Sequence, residues 1–222
     1  MRIKICGITQ PEQGEAIARL GATALGLICA PQSPRYVTPA QIATITQRIP
    51  PGIERIGVFV DAPLGTIAAT ITTGQLTGVQ LHGQESPEFC QTLREQCPQV
   101  TLWKAFRVRS PATLTLIPPY YSVVDALLLD AYHPHLEGGT GHTLNWQDLQ
   151  TFTPPLPWFL AGGLNPDNIA TALGMINPDG VDVSSGVERS PGDKNLAAVE
   201  QLIRTIHQQS SGLSHSPDRD FS

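Results

Sequence analysis

The chain is poor in charge. Charged residues make up 15% of its 222 residues, against about 25% in a typical globular domain. It contains no block of Lys or Arg, and its formal net charge is −5. This argues against a nucleic-acid partner, because binding a phosphate backbone requires concentrated positive charge. No apolar run reaches the ~18 residues needed to cross a bilayer. The N-terminus enters a strand pattern directly, without the apolar region and cleavage site of a secretory signal. The cytoplasm is therefore the expected setting, and no membrane partner is expected. Cysteine is also scarce. Cys6, Cys29, Cys90 and Cys97 form no C-x-x-C pair and no Cys/His set with zinc spacing, so no metal site is expected. In a reducing compartment these thiols are expected to be free. No G-x-G-x-x-G follows the first strand, which weakens a dinucleotide-binding reading.

What the chain does have is alternation. Short apolar runs recur at RIKIC (2–6), ALGLIC (24–29), RIGVFV (55–60), TGVQLH (77–82), TLWKAF (101–106), ALLLD (126–130), PWFLAG (157–162) and GVDVSS (180–185). Segments of helical period lie between most of them. PEQGEAIARLG stops at Gly21, TPAQIATITQRI opens on Thr38-Pro39 as N-cap and first helical residue, and PATLTLI reads as a helix after the fifth strand. Only the connection after the sixth strand breaks the pattern, with the Gly-rich loop LEGGTGHTLNW and at most a short helix. Strands alternating with helices imply a parallel sheet, and eight such units in this length match a closed (β/α)8 barrel. An open doubly wound sheet is the alternative. With 20 Gly and 20 Pro, the composition suits many short connections. Residues 1–208 are read as one barrel domain. Residues 209–222, Ser-rich and without periodicity, are read as a flexible tail.

Barrel active sites lie at the C-terminal ends of the strands. That rule gathers Cys6, His82 and Asp130 from the ends of strands one, four and six, and the glycines and serines that follow strands seven and eight. Side-chain parity places Lys4 with Cys6, and Asp182 with Ser184, on the interior face. Strands one and eight are neighbours in a closed barrel, so Lys4 and Asp182 are expected to pair. The Lys4 ammonium should also favour thiolate at Cys6. AGGLNPDN and DVSSGVE offer unhindered backbone N–H groups, with Asn165 as N-cap and Pro166 as first helical residue, in the loops where barrels commonly hold phosphate. Each residue also has a plainer reading. A strand cysteine can be inert core, a strand-end Asp can cap a loop, a histidine can be structural, and Arg35 can be a solvated loop residue.

Taken together, KICGIT, SPRYV, VQLHG, LLLDAYHPHLEGGTG, LAGGLNPDN, VDVSSGVE and PGDKN resemble the phosphoribosylanthranilate isomerase family of tryptophan biosynthesis, in its order and spacing, over essentially residues 1–207. The resemblance implies an Amadori rearrangement of N-(5'-phosphoribosyl)anthranilate to 1-(2-carboxyphenylamino)-1-deoxyribulose 5-phosphate. It implies Cys6 as general base and Asp130 as general acid, with no cofactor and no metal. It also implies Arg35 as the partner of the anthranilate carboxylate, His82 near the substrate, and Gly163, Ser184, Ser185 and Gly186 as phosphate contacts. Gly138 to Gly141 would form a mobile loop. The expected partner is a small phosphosugar, and the chain would be a monomer or homodimer. A phosphosugar-binding barrel that is non-catalytic, or of different specificity, is the competing reading. Such a barrel would keep the phosphate loops without needing the Cys6–Asp130 pair.

Overall fold

Eight parallel strands close into a barrel in sequence order. The structure is a computed structural model and describes residues 1–131 and 146–212. The strands are β1 (Arg2–Cys6), β2 (Ala24–Ile28), β3 (Glu54–Phe59), β4 (Gly78–Leu81), β5 (Thr101–Val108), β6 (Ala126–Ala131), β7 (Trp158–Ala161) and β8 (Gly180–Val183). β1 pairs with both β2 and β8, which closes the barrel and excludes the open sheet. The α-helices are α1 (Pro11–Arg19), α2 (Pro39–Thr46), α3 (Leu64–Gly74), α4 (Pro87–Gln96), α5 (Ile169–Met175) and α6 (Leu196–Gly212). A two-stranded hairpin, β9 (Glu188–Ser190) and β10 (Asp193–Lys194), lies between β8 and α6.

Local sequence explains most boundaries. Thr38 and Gln41 form a reciprocal capping box ahead of Pro39 at the start of α2, worth about 1 kcal/mol. α1 ends in a cap at Leu20, and Gly21 turns away at φ 111°. Two expectations are corrected. PATLTLI forms a 3-10 turn over Pro111–Leu116 rather than an α-helix. It is short, it carries β-branched Thr113 and Thr115, and Pro118-Pro119 follows. α5 begins at Ile169, not at Pro166. Asn165 instead caps the preceding turn, its Oδ1 accepting from Asp167 N at 2.9 Å and Asn168 N at 3.1 Å. α6 runs to Gly212, four residues past the boundary drawn at 208. The rest of the tail, the Gly138–Gly141 segment and the His133–His135 stretch lie outside the described residues.

Alternation along the strands sorts two cores. Ile3, Ile5, Leu25, Leu27, Leu127 and Leu129 face outward and are buried under the helices. Ala24, Ile56, Trp103, Ala105, Ala126, Leu128, Phe159 and Ala161 fill the interior. Trp103 and Phe159 are tilted against each other at 4.3 Å between centroids, with the Arg2 guanidinium over both rings. This plug seals the N-terminal half of the barrel. Above it the interior turns polar, with Lys4, Gln80 and Asp182 all buried.

Candidate active site

At the C-terminal mouth a cavity of about 390 Å3 is lined by Cys6, Arg35, Gln80, His82, Asp130, Gly163, Asp182, Ser184 and Ser185, among others. Every strand-end residue singled out from the sequence is brought to it except Gly186. Gly186 is not among the lining residues, and a Cβ on it would collide with the carbonyl oxygen of Leu164.

Cys6 ends β1 with its side chain inward and 6% exposed. Its Cα partner on β2 is Gly26, and a Cβ on Gly26 would lie 2.5 Å from the Cys6 sulfur. The thiol therefore occupies space that only a glycine leaves. The chain then leaves the mouth through Gly7 at φ 80°, a conformation that suits glycine. Below Cys6, Lys4 Nζ donates to Asp182 Oδ2 at 2.8 Å, the pair expected from parity, and the two residues are direct register partners. Burial works against the Lys4 charge, but Asp182 and then Cys6 more than restore it and its pKa is raised.

Lys4 favours the Cys6 thiolate, as expected, but burial outweighs that pull and pushes the thiol above its ordinary value. Desolvation disfavours the thiolate on every side, whereas the cation acts from one side and is itself shared with Asp182. When it does ionise, Cys6 is consequently a stronger base than a free thiol.

Across the cavity, His82 Nε2 lies 3.5 Å from Asp130 Oδ2. Gln80 Nε2 approaches His82 Nδ1 at 2.8 Å. With the amide donating, the neutral ring carries its proton on Nε2, toward Asp130. The loop that bears His82 is held by Glu85, whose carboxylate accepts from Gly83 N and from the buried Lys104 Nζ, each at 2.9 Å. Two buried acceptors among the cavity residues, Gln80 Oε1 and Asp182 Oδ1, have no hydrogen-bond partner among the described residues. Such atoms are costly unless something donates to them, and hydroxyl groups of a bound sugar would do so.

Arg35 is not a free cation. Its Nε and Nη2 grip Glu188 in a fork, with Nη2–Oε2 at 2.6 Å. Ser184 Oγ donates to the Cys6 carbonyl at 3.1 Å, tying the loop after β8 to the end of β1. Gln80, Gly26, Glu188 and Lys194 were not singled out from the sequence. The only sequence signal for them was their place within or beside the motifs. Among the described residues no group of three or more His, Cys, Asp or Glu side chains could hold a metal ion, and no helix is long and apolar enough to cross a membrane.

Comparison with known proteins points one way. The profile of a family described as N-(5'phosphoribosyl)anthranilate (PRA) isomerase matches residues 3–205. The N-(5'-phosphoribosyl)anthranilate isomerase of Rippkaea orientalis is 59% identical over 95% of this chain and 98% of its own length. That of Acaryochloris marina is also 59% identical, over 93% and 98%. Among solved structures, the phosphoribosyl anthranilate isomerase of Thermotoga maritima superposes with a TM-score of 0.84 at 34% identity, covering 94% of this chain and 99% of that one. A phosphoribosyl anthranilate isomerase in complex with reduced 1-(o-carboxyphenylamino)-1-deoxyribulose 5-phosphate gives a TM-score of 0.83 at 32% identity, over 94% and 99%.

Proposed function

The chain belongs to the N-(5'-phosphoribosyl)anthranilate isomerase family, and we propose that Cys6 and Asp130 are the general base and general acid of its reaction. The activity is the isomerisation of N-(5'-phosphoribosyl)anthranilate, a step of tryptophan biosynthesis. The product is an aminoketose formed without redox change. The residue roles rest on one observation above all: a thiol and a carboxyl from distant strands line the same cavity, beside glycine and serine loops.

The chemistry needs two proton transfers. The furanose ring must open, so Asp130 gives a proton to the ring oxygen as the C1–O bond breaks. The anthranilate nitrogen supplies the electron pair and becomes an iminium. That iminium acidifies the C2 proton, which Cys6 thiolate removes. The electrons of the C2–H bond form the C1–C2 double bond and neutralise the nitrogen. The enolamine then takes a proton at C1 and loses one from the C2 hydroxyl, giving the ketone. The iminium is itself the electron sink, so the steps need no cofactor.

Binding follows the chemistry of the walls. Backbone N–H groups and hydroxyls around Gly163, Ser184 and Ser185 suit a phosphate. Because α5 starts only after the Asn165 turn, the loop amides carry this role rather than the helix end. Arg35, with Nη1 left over from its Glu188 fork, suits a carboxylate. Gln80 Oε1 and Asp182 Oδ1 await sugar hydroxyls. The Thermotoga maritima relative is described as dimeric, and this chain works as a monomer or homodimer in the cytoplasm, on one barrel domain whose last helix reaches Gly212.

The test follows the disappearance of fluorescent phosphoribosylanthranilate on adding the purified chain. Turnover that is lost in both Cys6→Ser and Asp130→Asn, with folding intact, supports the assignment. Full turnover in either variant removes that residue from it.

A further inference from the structure

The motif PGDKN follows the phosphate loops and has no role in the acid–base chemistry, yet it carries a buried cation. Lys194 sits on β10 and is 0% exposed. Its Nζ reaches Glu188 Oε1 at 2.7 Å and donates to the carbonyl oxygen of Ser184 at 3.2 Å. Glu188 lies across the hairpin on β9, its side chain only 4% exposed. Its other face is taken by Arg35, through Nε at 2.9 Å and Nη2 at 2.6 Å. Gly192 N, in the hairpin turn, donates to the same carboxylate at 3.2 Å. The hairpin is in turn pinned to α1, since Gln13 accepts from Lys194 N at 2.9 Å and donates to Asp193 Oδ1 at 2.7 Å.

These contacts make one continuous chain of bonds. It runs from the guanidinium assigned to the substrate's carboxylate, through Glu188 and Lys194, to Ser184 beside the loop assigned to its phosphate. Arg35 also packs against the turn after β1, where a Cβ on Gly7 would meet Arg35 Cδ at 2.7 Å and Ser184 Oγ at 3.1 Å. Arg35 and Ser184 thus both border the turn at Gly7. Burial alone pushes the Glu188 carboxyl up, but hydrogen bonds from Arg35 and then Lys194 outweigh it and hold it below its ordinary value. Glu188 is therefore ionised throughout the neutral range. Two cations share one anion, which leaves a single net positive charge on a wall that faces a substrate with an anion at each end.

We propose that Glu188 and Lys194 are positioning residues that fix the distance between the carboxylate-binding and phosphate-binding ends of the cavity, and so select substrates that carry both anions at that spacing. The Glu188–Lys194 pair is buried, with Arg35 closing it off from the cavity side, and a buried ion pair often costs more than an apolar wall would, so its presence calls for a function other than stability. A shared carboxylate supplies one. Arg35 alone has several rotatable bonds and could follow carboxylates at many distances, whereas an Arg35 gripped at Nε and Nη2 presents its remaining edge at one place. This inference rests on the substrate assignment above.

The experiment compares two ligands on the wild type and on Glu188→Gln and Glu188→Asp. One is the two-ended reduced product analogue, reduced 1-(2-carboxyphenylamino)-1-deoxyribulose 5-phosphate. The other is the one-ended ligand ribulose 5-phosphate. The readout is the ratio of their dissociation constants, with kcat and KM measured in parallel. In Glu188→Gln the advantage of the two-ended ligand should shrink at least tenfold, with KM rising more than kcat falls. Glu188→Asp keeps the charge but is one methylene shorter and cannot span both cations, so it should show the same loss. An unchanged ratio in Glu188→Gln, or a parallel change for both ligands, overturns the proposal, because a purely structural role moves them together. Recovery of the wild-type ratio in Glu188→Asp also overturns it. If the Glu188 variants do not fold, Lys194→Gln leaves the Arg35–Glu188 fork in place, and an unchanged ratio there has the same force. Wild-type turnover of phosphoribosylanthranilate is read in the same series. Its absence would remove the substrate assignment, whereas an unchanged ratio beside normal turnover removes only the spacing role.

Discussion

His82 Nε2 stands 3.5 Å from Asp130 Oδ2 across the mouth of the barrel, and Gln80 holds the far side of the same ring. The distance is longer than a good hydrogen bond and short enough for the ring to orient the carboxyl. Two strand-end groups that can each give a proton therefore face the same space.

Asp130→Asn separates them. Asn is nearly isosteric and cannot protonate the ring oxygen, so kcat should fall by about 10²–10⁴-fold while the affinity for the reduced product analogue stays within about threefold. His82→Gln should lower kcat less than Asp130→Asn does. The measurement is steady-state kinetics beside analogue binding. The reverse order would make His82 the acid and Asp130 its partner.

Because Cys6 is pushed above its ordinary value by burial, with Lys4 opposing, the active thiolate gains population as pH rises. The limb of kcat/KM that Cys6 sets should therefore lie above the unperturbed thiol value of about 8.5. Asp182 adds to the upward push, so Asp182→Asn should move the limb to lower pH and Lys4→Met to higher pH. A limb at the same pH in both variants would show that Cys6 does not set it. Cys6→Ser, whose hydroxyl is a far weaker base, should fold and lose turnover by at least about 10²-fold.

Gly26→Ala should act at a distance of one strand. Its Cβ would lie 2.5 Å from the Cys6 sulfur and 3.0 Å from the Cys6 Cα, so the base must shift. Overpacking of this kind costs about 1–3 kcal/mol, and a misplaced base should cost at least about tenfold in kcat. Gly65→Ala, in the first turn of α3 with open space around the new Cβ, is the control and should leave stability unchanged or slightly raised. Thermal melts and kcat for both variants check the contrast.

Alkaline stability should depend on buried thiols that do no chemistry. Cys90 is 0% exposed, and burial pushes its thiol up to about 11. An unfolded thiol ionises near 8.5, so between that pH and about 11 the native state holds a proton that the unfolded chain has lost. Stability then falls as pH rises through this window. Cys90→Ala should flatten the decline of Tm above about pH 8.5, whatever it does to Tm at neutrality. An identical slope in both proteins would show that Cys90 keeps no such proton.

The sequence by itself determined the alternation of strands and helices, the strand ends and the residues that could react, whereas the pairing of β1 with β8 decided for a closed barrel over an open sheet. Alternation with period two assigned Ile3 and Ile5 to the helices and Lys4 and Cys6 to the interior, and the Lys4–Asp182 register followed from closure alone. These are local properties, because a strand must place successive side chains on opposite faces whatever surrounds it. Tertiary structure decided what each reactive group feels. It buried Cys6 deeply enough that desolvation outweighs the cation beside it. It placed Gly26 opposite the thiol, and it turned PATLTLI into a 3-10 connection. It also locked Arg35 onto Glu188, a residue 153 positions further along the chain. No pattern in one segment encodes such pairings. They depend on which loops meet when the barrel closes, and on how much water that meeting removes.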